Sequence, residues 1–97
     1  MVKFTEIFSA PKRYDPELGK VVEEFEIREV FLNPSYVITA RENSSLYAKA
    51  QKQELIKGLK KEMKFTQVFL NIPGSTAKKM DVVGDFEYFA ERIGREV

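Results

Sequence analysis

The tetrapeptide VFLN occurs twice in this chain, at residues 30–33 in REVFLNPSY and at residues 68–71 in TQVFLNIPG. Successive side chains of a strand point to opposite faces, so Phe31 opposes Val30 and Leu32, and Phe69 opposes Val68 and Leu70. Strands that are apolar on both sides need cover on both sides. Related pieces, FTEIF at 4–8 and FTQVF at 65–69, follow the same alternation. No duplication is needed to explain the likeness. Each VFLN is a β-favouring run halted by Asn ahead of a proline turn, and the two turns lead to different places. Pro34-Ser35-Tyr36 runs into another strand, whereas Ile72-Pro73-Gly74-Ser75 opens a hairpin.

The remaining punctuation organises the chain around these runs. Residues 2–8 read as a strand, and 9–19 as a loop built on Pro11, Asp15, Pro16 and Gly19, with Arg13 and Tyr14 exposed at its tip. In the strand over 20–32, Phe25 and Ile27 share one face, with Glu24, Glu26 and Arg28 on the other. Val30 and Leu32 then break phase, which calls for a bulge near 28–30 or for burial on both sides. A third strand is expected over 36–41 and a capping loop over 42–45. Ala50, Leu55, Ile56, Leu59 and Met63 have helical spacing, so much of 46–64 should be helix, weakened at Gly58. Strands over 65–71 and 78–83 flank the 72–75 turn. A helix capped by Asp85 then carries Phe86, Phe89, Ala90 and Ile93 as its apolar stripe. The expectation is an α+β domain spanning 1–97: about five antiparallel strands in a curved sheet or small open barrel, a C-terminal amphipathic helix, and helix within the 45–63 insertion.

A 97-residue chain of 43% hydrophobic composition can form one core, but a small one that self-association would stabilise, so a homo-oligomer is expected. There is no cysteine, hence no disulfide framework. No apolar run is long enough for a membrane span, and charges begin at Lys3, too early for a signal peptide. A soluble, cytoplasmic protein with no membrane partner is the expectation.

Catalytic motifs are missing. Without histidine or cysteine the common general base, the usual triad and a zinc site all disappear, so no metal or cofactor is expected. No P-loop or dinucleotide fingerprint occurs. The segment PGSTAKK at 73–79 offers small residues and lysines to an anion, but no helix follows it, and a hairpin turn explains it better. Glu23, Glu24, Glu26 and Glu29 form the one carboxylate cluster. They read as a solvated strand face, or as charges that discourage edge pairing. Asp81 and Asp85 read as a polar strand position and a helix cap. An enzyme is not expected.

Charge is distributed unevenly. Residues 49–79 hold eight lysines against Glu54 and Glu62, net +6, which leaves −5 for the rest of a chain whose total is +1. With eight Phe and four Tyr, aromatic surface exceeds what one helix and a thin sheet bury. Aromatic rings on a sheet can stack bases while lysines follow phosphates. The candidates are Tyr36, Tyr47 and Phe69 for stacking, with Lys49, Lys52, Lys57, Lys60, Lys61, Lys64, Lys78 and Lys79 for the backbone. Phe25, Phe86 and Phe89 read as core. The cover over Phe31 and Phe69 is expected to be the 46–63 segment, a second subunit or a flat ligand.

The order EVFLNPSYVITARE, FTQVFLNIPGS and KKMDVVGDFEYFAERI resembles the small FlbD-type flagellar and swarming motility proteins over roughly half the chain. It differs in its N-terminal hairpin and in the 43–64 insertion. The resemblance implies strand–turn–strand architecture with a short terminal helix. Compact charged domains of this kind also look like small phage-encoded accessory proteins acting on nucleic-acid machinery. The function expected is single-stranded DNA or RNA binding in replication or transcription. The alternative is a protein-interaction module regulating a polymerase or motility complex.

Overall fold

The computed structural model describes residues 1–52, 55–56, 58–60, 62–74 and 76–94, apart from the side chains of 11–13, 22 and 23. Its elements are β1 (Val2–Asp15), β2 (Lys20–Leu32), a 3₁₀ turn (Pro34–Tyr36), β3 (Val37–Glu42), α1 (Ser44–Lys52), β4 (Phe65–Leu70), β5 (Lys78–Val83) and α2 (Phe86–Gly94). The strands form one sheet in the order β2-β1-β5-β4-β3, with every pairing antiparallel. β2 and β3 remain as edges, so the sheet is open and does not close into a barrel.

Most of the span expected as a loop over 9–19 is strand. β1 runs on to Asp15, whose carboxylate accepts the Glu17 N–H at 2.9 Å and starts a turn completed by Gly19 at φ +66°. Pro11 is accommodated by a register shift between Ala10 and Arg13, where a missing N–H is tolerated. Neither alternative expected at 28–30, a bulge or burial on both sides, occurs: β2 pairs with β1 in unbroken register from Glu24 to Leu32, and one of its faces stays open. Instead the change of phase leaves Ile27 and Phe31 exposed, while Leu32 is buried. β3 starts at Val37 because Asn33 caps the 3₁₀ turn by accepting the Ser35 N–H at 3.0 Å, taking Tyr36 out of the strand.

The sheet is covered on both sides. One face carries Val2, Phe4, Leu32, Val68, Leu70 and Val82 beneath Phe89 of α2. The other carries Ile7 and Phe65 beneath Leu46 and Ala50 of α1, with Leu55, Ile56 and Leu59 completing the layer. Among the described residues the helix expected over 46–64 runs only from Ser44 to Lys52, and Leu55, Ile56 and Leu59 reach the sheet from non-helical backbone; Gly58 sits at φ +88°. In α2 the cap is as expected, Asp85 accepting the Tyr88 N–H at 2.7 Å. The apolar stripe is not. Phe89 packs on Phe4 with ring centroids 4.9 Å apart and Ile93 is half-buried, but Phe86 is 42% exposed and Ala90 faces solvent. Among the described residues no helix is long and apolar enough to cross a membrane.

Candidate nucleic-acid interface

Directly paired residues in a sheet share a face. Ile7 pairs with Ile27 and with Asp81, Asp81 with Gln67, and Gln67 with Arg41, which places all five on the face covered by α1. One residue pair further along, Phe25 pairs with Ser9, and Phe69 pairs with Lys79 and Thr39. Phe25 and Phe69 are thus on one face, in strands separated by β1 and β5.

Both rings are half-buried, and both lie under a cation. The Lys49 ammonium stands 5.4 Å from the Phe25 centroid, and the Arg41 guanidinium 5.3 Å from that of Phe69. Lys79, exposed on β5, stands across from Phe69. A cleft of about 280 Å³ runs between α1 and the strands, lined by Ile7, Ser9, Phe25, Asn43, Lys49 and Asp81. Its wall is fixed at Asn43, which accepts the Leu46 N–H at 3.0 Å as the α1 cap and donates to Asp81 at 2.7 Å.

The expected site residues divide between faces. Lys49, Lys79 and Phe69 come together on the α1 face, and Lys52 is exposed at the end of α1. Lys78 alternates to the opposite face, and Tyr36 packs half-buried into the α2-side core. Tyr47 borders a separate cavity of about 150 Å³ with Phe65 and Lys64, and Lys64 lies 3.7 Å from Glu42. Lys60 is exposed on the 58–60 segment, while Lys57 and Lys61 lie outside the described residues. Sequence reasoning omits Arg41 and treats Phe25 wholly as core. Pairing the 36–41 strand with the 65–71 strand would have brought Arg41 near Phe69.

The larger clefts are differently built. One of about 700 Å³ is lined by Lys3, Phe4, Tyr88 and Arg92, and Arg92 is held there, donating to the Tyr88 hydroxyl at 2.9 Å and lying 5.1 Å from the Phe4 centroid. Another, of about 530 Å³, mixes Arg41 and Lys64 with Glu42 and Glu87 around Phe86. On the α2 face, Arg28 donates from Nε to the buried Glu6 at 2.8 Å and lies 4.4 Å from the Phe8 centroid. The bond to Glu6, reinforced by its charge, holds the Arg28 guanidinium above its ordinary pKa. Among the described residues no three acidic side chains converge as metal ligands would.

Comparison with protein-family models, curated proteins and solved structures finds no match.

Proposed function

We propose that this chain binds single-stranded nucleic acid across its α1 face, as a non-enzymatic cytoplasmic accessory protein in replication or transcription. The observation that carries the reading is the pair of half-buried phenylalanines, Phe25 and Phe69, each under a basic side chain, with Lys79 between them in strand order. The magnitudes permit exchange. A cation over a half-buried ring contributes about 0.5–2 kcal/mol, and stacking a base on an aromatic ring is worth about 1–3 kcal/mol. An arriving base displaces Lys49 or Arg41 from its ring, and the displaced cation is left beside the phosphates. Three strand spacings separate the rings, roughly 14 Å, so each would take a different base.

Fluorescence anisotropy with labelled oligothymidine and oligouridine, over a salt series, tests this. Binding should weaken linearly in log–log form, and Lys79→Ala should reduce the slope by about 0.7. Phe69→Leu, which keeps apolar bulk, should weaken binding by about 1–3 kcal/mol. Failure to bind at low salt would sink the proposal, and a flat salt response would remove the phosphate contacts.

One observation favours the protein-interaction reading. Tyr14, Leu18 and Val21, at the end of the β1–β2 hairpin, are 61%, 61% and 57% exposed. A polymerase or other protein gripping this end would be retained in a pull-down after nuclease treatment.

A further inference from the structure

The two sheet edges are unequal. β3 has six residues and a register shift between Val37 and Thr39, features that blunt an edge. β2 has an undisturbed stretch from Glu24 to Leu32, with Ile27 48% and Phe31 59% exposed along it. Among the described residues no strand lies beside the backbone N–H and C=O groups on its outer side. We infer that a second copy of this chain pairs antiparallel with β2, across a two-fold axis at Ile27, to give a continuous ten-stranded sheet.

The charges along the strand select that register. A two-fold axis normal to the sheet sets each residue opposite one equally far on the other side of the axis, and opposite residues share a face. With the axis at Ile27, that side chain meets its own copy, Arg28 meets Glu26 on both sides, Phe25 meets Glu29, and Val30 meets Glu24. Every neighbouring axis sets like charges opposite each other. An axis at Phe25 puts Glu24 against Glu26, one at Glu26 puts Glu26 against itself, one at Arg28 puts Arg28 against itself, and one at Glu29 puts Glu29 against itself. Among axes from Glu24 to Glu29 the charges leave only that at Ile27 open, and an axis at Val30 or Phe31, though free of like charges, pairs no more than the last five residues of β2. Glu26, Arg28 and Glu29 are exposed and positioned for this. Arg28 binds Glu6 through Nε, and a guanidinium has five N–H donors, so it can also serve Glu26 of the second copy. A strand pair buries less than the roughly 1,200–2,000 Å² of a standard interface, so a micromolar dimer is expected.

This inference is independent of nucleic-acid binding and is read by mass. In sedimentation equilibrium from micromolar to millimolar protein, the mass should climb from 11.2 kDa toward twice that value. Glu26→Arg should raise the dissociation constant about tenfold, because the two-fold axis repeats the Arg–Arg apposition. The chain has no cysteine, so Ile27→Cys should give a disulfide-linked dimer on mild oxidation, while Ile38→Cys, on the equally exposed β3 edge, should not. A monomeric mass at all concentrations overturns the proposal. So does a dimer unaffected by Glu26→Arg, or one in which Ile38→Cys crosslinks as fast as Ile27→Cys.

Discussion

Asn43 joins three parts of the molecule. Its backbone N–H donates to the Phe65 carbonyl at 2.9 Å, its side-chain oxygen accepts from Leu46, and its side-chain nitrogen donates to Asp81. An aspartate would keep the cap but lose the donor, and would set a carboxylate against Asp81. Asn43→Ala is expected to cost about 1–2 kcal/mol in urea unfolding, from the lost cap and the loosened Asp81 contact. Asn43→Asp should cost at least as much at neutral pH. Its cost should shrink as acid protonates one of the two carboxyls, since like charges favour the neutral form. A cost for Asn43→Asp that does not change with pH would contradict the 2.7 Å contact. The Arg28–Glu6 pair behaves differently with respect to arginine. Because the Arg28 pKa is raised, its contribution is fully present below the ordinary arginine value and is lost only as pH rises through the raised one.

At the level of elements, the β5–α2 junction turns on Gly84. Its φ of +125° is one that side chains disfavour, and an added Cβ would lie 2.6 Å from Tyr88 Cδ1. Its N–H donates to the Lys64 carbonyl at 2.8 Å, and its carbonyl accepts from Thr66 at 3.0 Å, so the junction has little room to adjust. Gly84→Ala should destabilise by about 1–3 kcal/mol. Repeating the substitution in a Tyr88→Ala background should remove the contact and leave the backbone cost. If the cost vanished there, the strain would be steric alone. This junction was legible in the sequence, because Gly-Asp followed by helical apolar spacing is local grammar. The β1 extension was not, because proline and glycine content argued for a loop, and only pairing with β2 keeps residues up to Asp15 in strand. Helix length after Ser44 was equally illegible, since Leu55, Ile56 and Leu59 meet the same sheet without helical backbone. Of the site, Lys49, Phe69 and Lys79 could be named from composition. Their meeting with Phe25 and Arg41 depends on strand order, which a single sequence does not disclose.

Across the whole molecule, the two-sided cover requires unequal fates for similar residues. Phe65, in FTQVF, is fully buried beneath the α1 layer, whereas Phe31, in VFLN, is 59% exposed at the β2 edge. Phe65→Ala is expected to cost about 3–5 kcal/mol, and Phe31→Ala, measured at dilute protein, within about 0.5 kcal/mol. Comparable losses would mean that the β2 edge is buried even in dilute solution. The strand order has a consequence in time as well. β1 forms its hairpin with β2 at once, a microsecond event for neighbouring strands. Its other side waits for β5, whose Val82 pairs with Glu6 roughly 75 residues further along the chain. The hairpin is complete at Leu32, about 50 residues before Val82, so at ribosomal speeds of 5–20 residues per second the delay is roughly 3–10 s. Through that interval the nascent hairpin presents Phe4 and Ile7 without their final cover.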